Sequence, residues 1–282
     1  MTARLLLAAF LISFSVPSTL WASPIVFSVG GTNLTSSIQG TVDAFRAALG
    51  NPNNANTAGP LGSGRREINW DGGADATTPA GSVFTGFLNI RGAEFVTPGT
   101  GFVQAPTSGG PQGGLATFFN NATYATIFST FSPLRLFVPV GSNITDVEFF
   151  IPGTNGGVPA TVSGFGAVFT DVDLANSTSM QFFDVFNNSL GIFSVPASTV
   201  ASGGLSFLGV TFDAGERIGR VRIISGNAAL GPNDGAGIDV VAMDDFIFSE
   251  PVAAAIPEPS TMLLLGGGVM LFAAMRWRGR SV

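Results

Sequence analysis

Phe165-Gly166-Ala167-Val168-Phe169-Thr170-Asp171-Val172-Asp173 is the stretch on which the fold class turns. It is a β-like run of aromatic and β-branched residues that closes on polar ones. Downstream, Ser179 to Asp184 and Ser189 to Val195 read as two more strands. Val185-Phe186-Asn187-Asn188 between them suits a hairpin connection. Ser206 to Phe212 and Ile218 to Ser225 follow, the second with an imperfect period of two, Ile218, Arg220, Arg222 and Ile224 set against Gly219, Val221 and Ile223. Val240 to Phe248 is the last strand. Short strands spaced by about 8 to 12 residues, with Gly, Asn and Asp turns, predict a mainly β body: an antiparallel β-sandwich of jelly-roll-like form.

Helix signals are few. Val42 to Gly50 is the best, with Phe45 and Leu49 four residues apart, alanine filling and a terminating glycine. It is expected to pack across an end of the sandwich. Residues 51–64 and 97–114 read as loops, and no internal repeat stands out. Ile151 to Gly157 has the composition of a linker or of a long hairpin loop; a single domain is the simpler expectation.

Composition narrows the chemistry. There is no cysteine, so no disulfide supports the fold, and there is no histidine. All 12 basic residues are arginine. Familiar catalytic triads, zinc sites, thiol nucleophiles and Schiff-base lysines therefore cannot be assembled within the chain. Between the two ends lie eight arginines against 17 acids, a net charge near −9, which argues against nucleic acid or an anionic membrane as partner of the body. The 26 phenylalanines and 38 glycines point to a phenylalanine-filled core and many turns.

What remains is carboxylate and oxygen chemistry. Asp71, Glu94, Glu148 and Asp184 are candidates for a glycosidase pair, but no spacing singles two of them out, and the expectation is that the chain is not an enzyme. Calcium takes oxygens from carboxylates and carbonyls at loop edges. Asp171 and Asp173, on one face of a strand end, and Asp244 and Asp245 in the last strand are the candidate ligands of a structural calcium. Their alternative role is to cap turns. Asn69 to Asp75 is a second acidic, glycine-rich loop without the ligand register of an EF-hand. Trp70 reads in two ways: an exposed platform for a sugar ring, or a core side chain with its N–H bonded to backbone.

The C-terminal end carries its own signal. Pro257-Glu258-Pro259 is held extended by its prolines. Thr261 to Met275 is 15 residues without a charge, roughly 22 Å if helical and short for a bilayer core of about 30 Å. Arg276, Arg278 and Arg280 follow and favour the cytoplasmic side, which puts the body outside. The motif at 257–259, a transmembrane helix at 261–275 and a basic tail at 276–282 together make residues 253–282 a sorting signal.

These three parts, in this order, resemble the PEP-CTERM sorting domain of Gram-negative bacteria over about residues 254 to 280. The resemblance implies that a membrane-embedded exosortase recognises Pro257, Glu258 and Pro259 and removes the helix, and that the mature protein reaches the cell surface or an exopolysaccharide matrix. The N-terminus agrees: residues 1–22 read as a secretory signal peptide, with Arg4, an apolar core from Leu5 to Val16 and cleavage after Ala22. The body then spans residues 23–252. Three functions compete for it: a non-catalytic matrix or adhesion protein, a lectin-like carbohydrate-binding module centred on Trp70 or Tyr124, and a secreted glycan hydrolase. The Met243-Asp244-Asp245-Phe246 ending resembles the last strand of lectin-like jelly rolls, a likeness of fold alone.

Overall fold

Strand-forming runs recur along the chain, and each must find a partner for its backbone groups. The computed structural model describes residues 24–254 apart from 79–82, 112 and 233. The expected signal peptide (1–22), Pro257, Glu258 and Pro259, the apolar segment 261–275 and the tail 276–282 lie outside the described residues. In chain order the elements begin with β1 (Ile25–Gly30), α1 (Ser36–Leu49), β2 (Arg65–Ile68), β3 (Ala76–Thr77), α2 (Leu88–Arg91), β4 (Ala93–Val96), β5 (Gly101–Pro106), α3 (Gly114–Phe118) and α4 (Tyr124–Ile127). They continue with β6 (Arg135–Val140), β7 (Ile144–Phe149), β8 (Ala160–Thr161), β9 (Gly164–Thr170), β10 (Ser179–Phe183) and β11 (Ser189–Ser194). Last come β12 (Leu205–Thr211), β13 (Arg220–Ile224), β14 (Ala242–Ser249) and β15 (Val252–Ala253). The six strands expected from Phe165 onward are all present.

Eight strands form one sheet in the order β1-β12-β9-β14-β6-β5-β3, with β2 also paired to β14. Five form a second, β11-β10-β13-β7-β4, and β15 pairs with β8 alone. The pairings between these strands are antiparallel. Among the described residues no helix is long and apolar enough to cross a membrane.

The two sheets share one core, in which Phe165, Phe169, Met243, Phe246 and Phe248 from the larger meet Phe95, Val147, Phe149, Phe182 and Val221 from the smaller. β7 alternates between buried and half-buried residues, as a strand with one wet face should. β9, β12 and β14 are buried at every position, because the outer face of the larger sheet is covered too. Ile38, Val42, Phe45 and Leu49 make one face of α1 and pack on Val168, Leu205, Phe207 and Ile247. Leu115, Tyr124 and Phe128, from and beside the short α3 and α4, cover Val103, Leu136, Val138 and Ala242. The expectation that the helix caps an end of the sandwich is therefore corrected: α1 is part of a third layer.

Glycine explains how α1 gets so close. Gly166 of β9 and Gly209 of β12 lie directly opposite each other. A Cβ at Gly166 would stand 2.8 Å from the Phe45 ring, and one at Gly209 would stand 2.6 Å from it. The ring thus sits on bare backbone, with Phe27 and Phe207 each at a centroid distance of 5.5 Å. The segment Ile151 to Gly157 is a loop closed by the bridge between Phe150 and Pro159.

Candidate functional site

β2 alternates half-buried and buried residues, so Arg66 faces inward with Ile68. A charge on that face needs a partner, and Glu250, just past the end of β14, supplies it. The Arg66 guanidinium grips the carboxylate with two bonds, Nε to Oε2 at 2.8 Å and Nη2 to Oε1 at 2.7 Å. Its Nη1 donates to the carbonyls of Ala55 (2.8 Å) and Ile90 (3.3 Å). Glu250 also accepts from Asn54 Nδ2 at 2.8 Å and the Leu61 N–H at 3.1 Å. The pair holds the chain at the point where it leaves the core.

The next residues are held by backbone bonds. Val252 and Ala253 pair with Thr161 and Ala160, and the Ala254 N–H donates to the Pro159 carbonyl at 3.0 Å. Arg217 secures this clip by donating to the Thr161 carbonyl at 2.7 Å. Clefts of about 560 and 490 Å³ adjoin the clip. Thr161, Val185, Phe186, Leu190, Arg217 and Val252 are among the residues lining the first, and Glu148, Pro159, Val185, Asn187, Arg220 and Ala254 among those lining the second.

The acids singled out from sequence fall into two groups. Asp171 does not continue β9; its φ of 69° turns the chain, so Asp171 is buried while Asp173 is exposed, and the shared strand face expected for them is corrected. Asp171 accepts the Gly203 N–H at 3.0 Å. Asp239 accepts from the N–H groups of Asp173 (3.1 Å) and Leu174 (3.4 Å) and from the Ser177 hydroxyl. Asp244 and Asp245 lie at an irregularity of β14 and are both buried. Asp244 accepts from the Phe131 N–H at 2.6 Å, and Ser132 Oγ donates to Asp245 at 2.5 Å. Arg46 Nη2 stands 3.6 Å from Asp245. Among the described residues, no three acidic side chains converge as a metal site. Asp171, Asp239, Asp244 and Asp245 accept from protein donors, as turn caps do.

Trp70 is fully buried (0% exposed), so it offers no face to a sugar, and that expectation is corrected. Its ring stacks on Phe137 at 3.8 Å, and its N–H donates to the Asp244 carbonyl at 2.7 Å. Tyr124 is buried as well, its hydroxyl donating to the Gly231 carbonyl at 2.8 Å. Of the hydrolase candidates, Glu94 lies across from Glu148 in neighbouring strands, and Glu148 and Asp184 both line the second cleft. Asp184 is occupied as the cap of the 185–188 hairpin, accepting from the Phe186 and Asn188 N–H groups, each at 2.8 Å. Asp71 accepts from the Leu134 and Arg135 N–H groups.

Burial raises several carboxyls. Asp171 is pushed up to about 7 by burial, with nearby Asp173, Asp239 and Asp234 adding to the rise against the Gly203 N–H. Burial also raises Asp173, Asp245 and Glu94, and it holds Asp244 well above the usual range with help from the charge of Asp245. An acid raised in the folded state binds more protons there than in the unfolded chain, so its share of stability is complete below the unfolded value and is lost as pH rises toward the folded one. Melting temperature should therefore fall by several degrees from about pH 4, the ordinary carboxylate value, to about pH 7, where Asp171 titrates. Asp171→Asn keeps the Gly203 bond and tolerates the positive φ. Thermal melts at pH 5 and 8 should show it flattening that fall and melting above the parent at pH 8; an equal slope in both proteins would contradict this.

Ala254 is the last residue the clip holds, and the sequence that follows it decides how the protein is handled. Residues 255–280 match the family described as the PEP-CTERM protein-sorting motif. The chain carries a PEP-CTERM signal. Such a signal implies an exported protein that is sorted by an exosortase and anchored in the membrane through its C-terminal segment before processing. No curated protein and no solved structure matches the chain. The PEP-CTERM segment thus begins one residue past the clip, and the Arg66–Glu250 pair and β15 are the body's grip on it. Sequence reading did not join Arg66 to Glu250; the usable signal was an arginine at an inward position of a period-two strand.

Proposed function

We propose that the body is a non-catalytic cell-surface or exopolysaccharide-matrix protein, delivered by the exosortase route and acting in adhesion or scaffolding. The observation that carries this reading is the PEP-CTERM segment following directly on a β-rich body that is built without histidine, cysteine or lysine. Two further features agree with it. The aromatic residues suited to a sugar platform, Trp70 and Tyr124, are committed to the core, which disfavours a lectin-like site at either. Of the four acids that could serve a hydrolase, Asp71 and Asp184 are engaged in caps and turns.

Fractionation of a host culture tests the proposal, with a strain lacking exosortase beside it. The protein should co-purify with surface or exopolysaccharide material in the parent and stay with membranes in the other strain. Protein soluble in the cytosol of the parent would overturn it.

A further inference from the structure

The first cleft beside the clip has an unusual rim. Val185 is 40% exposed, Phe186 60% and Val252 38%, and all three line that one cleft with Leu190. Hairpin tips are ordinarily polar. Here Phe186 is instead presented on a turn fixed by its cap: Asp184 accepts from the Phe186 and Asn188 N–H groups, and from Asn188 Nδ2 at 2.9 Å.

We infer that this rim is a membrane-contact surface: before processing, Val185, Phe186 and Val252 rest in the headgroup boundary of the bilayer that the sorting segment enters. The inference rests on the C-terminal anchoring that the PEP-CTERM signal implies.

Chain length carries it. The body is bound as far as Ala254, and the uncharged apolar run begins at Met262, eight residues on. Eight residues reach at most about 28 Å. A globular body of this size measures roughly 45 Å across. The clip must therefore lie on the half of the body nearer the membrane, and the apolar rim lies beside it. Phenylalanine with aliphatic neighbours is the chemistry that settles at a lipid interface. The charged residues lining the two clefts are Glu148, Asp184, Glu216, Arg217 and Arg220, near balance, so the contact should not depend on anionic lipid. Its effect is orientation. With the anchor supplying the binding, the rim fixes the body, and with it Ala254, over the bilayer where a membrane-embedded enzyme would meet the sorting motif.

The chain has no cysteine, so a single introduced thiol reports one position. Full-length Phe186→Cys would carry an environment-sensitive fluorophore, with Ala175→Cys, exposed beyond the opposite end of β10, as reference. Each is reconstituted in phosphatidylcholine vesicles holding nitroxide headgroup lipid, with or without phosphatidylglycerol, and flotation is measured on the same samples. The expected result is flotation of both proteins, with quenching at position 186 at least threefold stronger than at 175 and the same in both lipids. Flotation with equal quenching at the two positions would overturn the membrane contact and leave the anchor standing. Quenching at 186 only with phosphatidylglycerol would overturn the apolar contact in favour of charge attraction. Failure to float would overturn the anchor, and the contact with it.

Discussion

Arg66→Ala should lower the unfolding free energy by about 3–5 kcal/mol, because it leaves the Glu250 carboxylate buried without its cation. Against the 5–15 kcal/mol typical of a whole domain this is a large share. The loss is not the worth of the ion pair alone. The carbonyls of Ala55 and Ile90 lose a donor at the same time. Urea denaturation of Arg66→Met, Glu250→Met and the double variant separates the terms. The double variant should be more stable than Arg66→Met, since it removes the orphaned charge, yet remain below the parent, since Asn54 Nδ2 and the Leu61 N–H lose their acceptor. Equal losses in Arg66→Met and the double variant would mean that the orphaned charge is not the cause. Because Glu250 precedes the clip, Arg66 variants should also open the 54–61 loop and the 250–254 segment to proteases before the rest of the body.

Trp70→Ala should cost a similar amount, about 3–5 kcal/mol, by emptying the largest fully buried side chain among the described residues. Phe137 loses its stacking partner, and Phe84, Phe87, Phe95 and Phe246 each lose an edge contact. Trp70→Phe restores most of the volume but leaves the Asp244 carbonyl without its donor, and should cost about 1–3 kcal/mol. Trp70 is the only tryptophan in residues 23–252, so fluorescence of the body reports on it alone. The folded body should emit in the blue and shift to the red on unfolding. A sugar platform would give the opposite pattern: red emission when folded, and little change in stability when the ring is removed.

Which features were legible depended on how local their causes are. The strands from β9 to β14 could be read because their apolar runs and turns lie within single stretches of sequence. β2 was hidden by the inward Arg66, which resembles a surface residue until Glu250 is known to meet it from 184 positions away. The third layer was hidden for a similar reason. Its trace was the pair of glycines, Gly166 and Gly209, inside two otherwise apolar strands, a mark of close approach that becomes readable once the strands are known to be partners. Period-two reasoning failed at Asp171 because the strand ends one residue earlier, at Thr170. Trp70 was ambiguous because a strand-like context does not say which face carries the core. The PEP-CTERM segment was legible in full, since a linear signal needs no partner to be recognised.

Intact-mass analysis of the mature protein from a host that has an exosortase is the most direct measurement. Export with exosortase processing predicts a chain that begins after residue 22 and has lost the apolar run 262–275 and the arginines beyond it. A protein recovered from that host with its C-terminal segment complete through Val282 would contradict it.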